Sequence, residues 1–162
     1  MAPDAPWTLD LPDPDATRAL GRRLGVALEP GDAVALIGDL GAGKTALAKG
    51  AIAALGEVDE DDVVSPTFVV AIEYPGRVAA LHIDAYRLTT GRDLDAIGYD
   101  LDRPGAFAVL VEWADRVEDA LPHDRLVVTL EHAPGGRRAT LEATGPASRR
   151  LLARLRAATP PG

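Results

Sequence analysis

The chain has 162 residues, 47% of them apolar, and a formal net charge of −8 at pH 7. Its length predicts one domain, and the apolar share predicts a packed core rather than a disordered chain. The acidic composition argues against direct nucleic-acid binding, which needs clustered Lys and Arg, and the lack of cysteine excludes disulfides and thiolate sites.

The first half of the chain alternates helix and strand patterns. A capping aspartate and a proline precede apolar residues at helical spacing, which predicts a helix over 14–28. The short apolar run 33–37 predicts a strand buried on both faces. A glycine-rich loop at 38–43 then leads into a predicted helix over 44–55.

The second half combines buried runs with two hairpin patterns, one around Pro75 and Gly76 and one around 134–136. Helices alternate with strands early and hairpins follow, so we expect an α/β fold with a mixed, mostly parallel sheet flanked by helices. We expect flexible tails at 1–10 and 158–162. The remaining predicted elements are strands over 68–74, 77–84, 107–111, 126–130 and 138–141, and helices over 92–97, 113–121 and 148–157.

Residues 38–45 carry the strongest chemical signal, because they match the phosphate-loop pattern G-x-x-x-x-G-K-[ST] in full. Glycines let backbone N–H groups converge on phosphate oxygens, and the N-terminus of the following helix adds positive potential. We expect Lys44 to face solvent until it reaches the β- and γ-phosphates, and Thr45 to bind Mg²⁺. The positions expected to contact the nucleotide are Asp39, Gly41, Ala42, Gly43, Lys44, Thr45 and Ala46.

The scarcity of lysine supports this interpretation. Of the 17 basic residues, only Lys44 and Lys49 are lysine, and the other 15 are arginine. A lysine kept in such a chain suggests a site that needs a compact ammonium on a flexible stem. Lys49, one turn further along, is expected to be an ordinary exposed helix residue.

A phosphate loop also needs a second acidic residue for its metal, usually at the end of a neighbouring buried strand. Asp84 and Glu112 each follow an apolar run, where an unpaired carboxylate would be costly to bury. Both are therefore candidates to contact a metal or a water molecule. The alternative is that one of them caps the next helix, which fits Glu112 better than Asp84. No guanine-specific N-K-x-D motif occurs, so adenine is the expected base.

Four segments together resemble the TsaE (YjeE) family, the small bacterial ATPases of tRNA threonylcarbamoyladenosine biosynthesis. They occur in the family's order at compatible spacing, and the resemblance extends over about 11–156. The chain has Ala114 and Asp115 where the family often has Pro and Glu, which leaves the role of Asp115 open. The four segments are 38–45, 65–68, 81–88 and 111–113.

The resemblance implies ATP and Mg²⁺ as ligands. It implies that Glu112 joins Thr45 at the metal, that Asp84 assists the metal or the attacking water, and that Trp113 lies near the nucleotide. Residues 65–67 would form a switch-like loop over the phosphates, with Thr67 sensing the nucleotide.

Three further side chains leave alternatives open. His82 is expected to be a surface or partner-facing residue rather than a catalytic one. Arg87 could act at the phosphates or a partner interface, or pair locally. Arg137, at the tip of a glycine-rich hairpin, could approach the nucleotide from another side or be a solvated loop cation.

The resemblance also implies a function: a cytoplasmic Mg²⁺-dependent ATPase that drives the TsaB–TsaD complex, which modifies adenosine 37 of ANN-decoding tRNAs. The chain would then meet tRNA only through that complex and would not bind a membrane. One alternative is a small-molecule P-loop kinase, although Arg103 and Arg116 are scattered singly and no long lid insertion is visible. Another is a nucleotide-gated binding module without hydrolysis.

Overall fold

The computed structural model describes residues 5–64, 70–95, 98, 101 and 105–158. Its strands are β1 (Trp7–Leu11), β2 (Ala33–Gly38), β3 (Ala71–Tyr74), β4 (Ala79–Asp84), β5 (Phe107–Glu112), β6 (Leu126–Ala133) and β7 (Gly136–Ala143). Its helices are α1 (Pro14–Ala27), α2 (Lys44–Ala54), α3 (Gly91–Asp95) and α4 (Pro146–Ala157). Short 3₁₀ turns cover Glu60–Asp62, Ala114–Arg116 and Glu118–Ala120.

Within these residues the strands form one mixed sheet in the order β1-β7-β6-β2-β5-β4-β3. The pairs β6–β2, β2–β5 and β5–β4 are parallel, and the other three pairs are antiparallel. Five of the seven described strands therefore run in the same direction, which confirms the mixed, mostly parallel sheet. The carboxyl ends of β2, β4 and β5 meet at one edge of the sheet, where α/β folds place their ligand sites.

Two apolar clusters cover the two faces of the sheet. Leu36, Leu47 and Leu110 belong to the cluster on the side of α1, α2 and α4. Leu81 and Val109 belong to the cluster on the opposite side, beneath α3 and the turns after β5. Because successive residues of a strand face opposite sides, every second position of β4 and β5 points toward α2. Of the helices in the part of the chain that the structure describes, none is long and apolar enough to cross a membrane.

The N-terminal segment corrects one prediction. Residues 7–10 do not belong to a flexible tail, because Trp7–Leu11 forms the edge strand β1, paired antiparallel with β7. Trp7, Leu9 and Leu11 alternate with exposed polar residues, which is the pattern of a strand with one buried face. The predicted tail beyond Ala158 lies outside the described residues.

The segment after β5 corrects a second prediction from the sequence. The predicted helix over 113–121 is replaced by the two 3₁₀ turns, Ala114–Arg116 and Glu118–Ala120. Trp113 stands before them in the left-handed region, with φ of 57°, so the backbone reverses there instead of entering an α-helix. Smaller differences concern element ends: β6 and β7 are longer than predicted, and α4 begins at Pro146.

Candidate functional site

A cavity of about 570 Å³ opens at the sheet edge where β2, β4 and β5 end. The loop after β2 and the start of α2 form one wall, and residues that follow β4 and β5 form the other. The structure thus brings the predicted phosphate loop and both predicted acidic residues to one place. The lining residues are Leu40, Gly41, Gly43, Lys44, Thr45, Ala46, Asp84, Tyr86, Glu112 and Trp113.

The loop backbone has the conformation that a phosphate cradle requires. Gly41 and Gly43 have φ values of 79° and 109°, which side chains with a Cβ rarely allow. Gly43 is the N-cap residue of α2, and no side chain caps that helix. The unpaired N–H groups of the first turn of α2 are therefore available to an anion, with the positive end of the helix dipole behind them.

Lys44 is buried, with 5% of its surface exposed, which contradicts the expectation that it faces solvent. Its Nζ donates to the carbonyl oxygens of Gly38 and Asp39, 2.9 Å away for Asp39, and lies 3.9 Å from the centroid of the Trp113 ring. The loop folds back over the ammonium and satisfies it with carbonyls. Burial lowers the pKa of Lys44, and nearby carboxylates, led by Glu112, oppose that shift.

Glu112 is the centre of a buried hydrogen-bond chain. The Thr45 hydroxyl donates to Glu112 Oε1 over 2.7 Å, and His82 Nε2 lies 2.6 Å from Glu112 Oε2. Glu112 is 2% exposed and His82 is fully buried, so the expected surface position of His82 is wrong. Glu112 caps no helix, because the residue that precedes the next turn is Trp113. Its burial is offset by these bonds.

Asp84 stands beside Glu112, since the two residues are direct cross-strand partners at the ends of β4 and β5. Asp84 is buried and lines the cavity, and its Oδ1 accepts a hydrogen bond of 2.9 Å from the Tyr86 N–H. It therefore holds the turn after β4, which is not a helix, and also faces the cavity.

The oxygen atoms present fit a magnesium–nucleotide complex. Within the described ranges, no three His, Cys, Asp or Glu side chains lie close enough to hold a metal by themselves. Mg²⁺ seldom uses such cages, because it binds one or two protein oxygens together with phosphates and water. The Thr45 hydroxyl and the Glu112 carboxylate, already in contact, are hard oxygen ligands of that kind, and Asp84 adds a third oxygen donor nearby.

Two aromatic rings, those of Tyr86 and Trp113, line the cavity opposite the loop. The Tyr86 and Trp113 rings lie 5.0 Å apart at 52°, and the Arg116 guanidinium lies 5.2 Å and 5.5 Å from their centroids. Sequence reasoning placed Arg116 among singly scattered arginines and did not assign Tyr86 or Leu40 to the site. Leu40 is 79% exposed in the loop. Nothing in the linear pattern shows that the turn after β4 meets the turn after β5.

Arg137 approaches the loop from another direction. Its Nη2 donates to the Gly41 carbonyl over 3.2 Å from the start of β7, while Nη1 donates to the Gly136 carbonyl. The side chain is therefore not simply a solvated loop cation. Arg87 is exposed on the turn after β4. Thr67, with the rest of the predicted switch loop 65–67, and Arg103 lie outside the described residues.

Comparison with known proteins decides the family. A family model described as "Threonylcarbamoyl adenosine biosynthesis protein TsaE" matches residues 11–140. The chain belongs to the TsaE family. TsaE proteins take part in tRNA threonylcarbamoyladenosine biosynthesis, so the predicted resemblance and the general role in tRNA processing are confirmed.

Individual TsaE relatives support the assignment over most of the chain. TsaE of Mycobacterium leprae is 46% identical over 124 residues, covering 71% of this chain and 76% of that protein. TsaE of Bacillus subtilis is 38% identical over 122 residues, covering 75% of each. The crystal structure of Bacillus subtilis YdiB matches with a TM-score of 0.74 and 29% identity, covering 94% of both chains.

Proposed function

We propose that this TsaE-family chain is a Mg²⁺-dependent ATPase that drives the TsaB–TsaD complex in forming N6-threonylcarbamoyladenosine at position 37 of ANN-decoding tRNAs. The observation that carries the ATPase proposal is the hydrogen bond between the Thr45 hydroxyl and Glu112 at the mouth of a phosphate loop. That pair joins the first helical turn after the loop to a neighbouring strand end, the arrangement that P-loop enzymes use to hold Mg²⁺.

The residues divide the work by chemistry. N–H groups of the loop, at Asp39 and from Gly41 to Ala46, bind the phosphates, and Lys44 exchanges its two carbonyl partners for phosphate oxygens. Thr45 and Glu112 hold Mg²⁺, which supplies positive charge to the phosphate oxygens when bound. Asp84, next to Glu112, orients the attacking water.

Residues around the phosphate loop bound the space that the nucleotide would occupy. Trp113 forms the wall over Lys44, and Arg137 supports the loop through Gly41 and flanks the nucleotide from β7. Thr67, which lies outside the described residues, senses the nucleotide. Each of these roles is testable by substitution.

The partner proposal rests on the family, whose members act in tRNA threonylcarbamoyladenosine biosynthesis. A net charge of −8 fits a protein that contacts its partners rather than tRNA itself. We place this work in the cytoplasm, where tRNA is modified.

The deciding experiment measures ATP hydrolysis by the chain alone and with TsaB–TsaD. We expect slow hydrolysis alone and faster hydrolysis with the partners. Lys44→Ala should abolish nucleotide binding or hydrolysis, and Lys44→Arg should fail almost as badly, because a planar fork cannot replace a point charge in a tight loop.

Lys49→Ala is the matched control, since Lys49 lies on the same helix outside the cavity lining and should keep wild-type activity. Near-normal hydrolysis by Lys44→Arg would contradict the proposed phosphate site. ATP consumption that depends on one small metabolite would instead identify a kinase, and binding without any hydrolysis would identify a gated module.

A further inference from the structure

We propose that His82 is a positioning residue of the nucleotide site, which holds the Glu112 carboxylate in the orientation that the metal requires. This inference rests on the proposed function, because it concerns how that site is prepared for Mg²⁺ and nucleotide. Its basis is the 2.6 Å contact between His82 Nε2 and Glu112 Oε2, which lies deep in the protein.

The direction of this hydrogen bond follows from the carboxylate. A carboxylate that holds a metal only accepts hydrogen bonds, so the positioning role places a hydrogen on His82 Nε2. The other oxygen of Glu112 accepts the hydroxyl of Thr45 over 2.7 Å. One donor from β4 and one from α2 therefore fix the two oxygens, and the carboxylate plane cannot turn without losing one of them.

The position of His82 in the sheet is otherwise an apolar one. Its neighbours on the same face, Ala80 on β4 and the cross-strand partner Leu110, belong to the cluster beneath α2. Among the residues that the structure describes, none forms a hydrogen bond with the buried His82 Nδ1. A buried polar atom left unpaired is destabilising, so an apolar side chain would fill this position better if packing were its only role. The bond to Glu112 is the compensating contact.

Without the bond to His82, the Glu112 carboxylate could move from Thr45 to Lys44. Lys44 lies close enough that Glu112 is the leading electrostatic influence raising its pKa against burial. A Glu112 side chain released by His82 would be drawn to that ammonium and away from Thr45. His82 thus keeps the metal-binding carboxylate and the phosphate-binding lysine as separate groups.

The test compares wild type with His82→Leu, which removes the donor, and His82→Gln, whose side-chain amide retains one. Leu81→Ala, on the opposite face of β4, is the control for a loss of core packing. ADP affinity is measured without Mg²⁺, and the Mg²⁺ concentration that half-saturates ADP binding is measured beside it, both by calorimetry.

We expect His82→Leu to raise the half-saturating Mg²⁺ concentration on the order of 10–100-fold, as is usual when the partner of a metal ligand is lost. ADP affinity without Mg²⁺ should fall by a smaller factor, because the released Glu112 competes with phosphate for Lys44, and His82→Gln should recover most of both losses. An unchanged Mg²⁺ dependence in His82→Leu, or an equal shift in Leu81→Ala, would overturn the proposal. Failure of wild type to bind ADP or ATP would overturn the proposed function as well.

A measurement on the wild-type protein covers the case in which His82→Leu does not fold. Nuclear magnetic resonance of the ring should show a solvent-protected hydrogen on His82 Nε2 and a changed Nε2–H signal when Mg²⁺ and ADP are added. A His82 Nε2 without a hydrogen, or a signal indifferent to Mg²⁺ and ADP, counts against the positioning role.

Discussion

Charged side chains at the site are held by hydrogen bonds to other groups of the chain itself. Lys44 rests on the carbonyls of Gly38 and Asp39, and Glu112 rests on Thr45 and His82. Such contacts satisfy each charge in a buried place and leave it in reach of the cavity. We therefore expect nucleotide binding at this site to be an exchange of partners, in which carbonyls and hydroxyls give way to phosphate and metal.

The two neighbouring carboxylates allow a separation of roles. Glu112→Ala should raise the Mg²⁺ concentration needed for nucleotide binding on the order of 10–100-fold or more, because it removes the partner of Thr45. Asp84→Asn keeps an oxygen for the Tyr86 N–H and should leave binding near normal while slowing hydrolysis on the order of 10²–10⁴-fold. Titrations with and without Mg²⁺, together with hydrolysis rates, measure both. Equal loss of Mg²⁺ dependence in the two variants would mean that they share the metal.

The two tryptophans predict a fluorescence signal with a built-in control. Trp113 lines the cavity over Lys44, whereas Trp7 on β1 lies between the guanidinium groups of Arg23 and Arg156. ADP or ATP should change the emission of wild type and of Trp7→Phe, because the indole of Trp113 changes its surroundings. The change should vanish in Trp113→Phe. A response that survives in Trp113→Phe and disappears in Trp7→Phe would place the nucleotide elsewhere.

Two helix ends in this fold are capped by side chains that are distant in the sequence. The C-terminal carbonyls of α1, at Gly25, Val26 and Leu28, accept from the guanidinium of Arg77, which follows the turn between β3 and β4. α4 has no capping side chain at its own N-cap, and Asp124 from the segment before β6 accepts from the Ala147 and Ser148 N–H groups instead. Helix ends are thus satisfied across the tertiary structure.

The cap by Asp124 predicts a pH-dependent contribution to stability. Partial burial alone would raise the pKa of Asp124, but its hydrogen bonds with Ser148 and Ala147 outweigh that effect and lower it below the ordinary 3.8. The contribution is therefore present above that ordinary value and is lost as pH falls through the lower pKa of the folded state. Asp124→Ala should cost about 1 kcal/mol at neutral pH and progressively less in acid.

Unfolding by urea at several pH values measures this effect. Glu142→Ala, an exposed acid on β7, is the control and should show no comparable pH-dependent difference. A constant cost of Asp124→Ala from neutral pH into strong acid would show that the charge of the cap plays no part.

At Gly50, helix–helix packing reverses the effect that helix propensity alone predicts for a Gly→Ala substitution. In an isolated helix, Gly→Ala stabilises by about 1 kcal/mol. In α2, however, a Cβ at Gly50 would collide with the backbone carbonyl of Arg18 in α1. Gly50→Ala should therefore destabilise by about 1–3 kcal/mol, as overpacking does. Thermal unfolding measures it, with the neighbouring Lys49→Ala expected to be close to neutral, and a stabilised Gly50→Ala would contradict this spacing of the helices.

At the scale of the whole molecule, the parallel strands at the centre of the sheet determine where the candidate site lies. β2, β4 and β5 carry the loop, Asp84 and Glu112 to the same edge, because parallel neighbours end together. The antiparallel strands β6 and β7 return to that edge from the far end of the chain, and β7 brings Arg137 to Gly41. The sheet thereby collects residues from position 40 to position 113 around one cavity and brings Arg137 to its loop.

Local pattern determined much of this protein. The phosphate loop, the buried runs before Asp84 and Glu112, and the start of α1 were predictable, since each depends on residues close together in the chain. The family could also be read from the order of the motifs, and the comparison confirmed it. The residues of β1 alternate between apolar and polar, which is typical of a strand, but the prolines near the start of the chain favoured a flexible tail instead.

Only the tertiary structure decided how the charged groups are partnered. Whether Lys44 is covered, whether His82 faces Glu112 or solvent, and whether Arg137 reaches the loop depend on which strand lies beside which. Trp113 has a left-handed backbone in place of a helix, and its ring contacts Tyr86 and Lys44, which are distant in sequence. Sequence periodicity reports which face of an element is apolar, whereas burial of a charge depends on partners distant in sequence, and only the folded sheet brings those together.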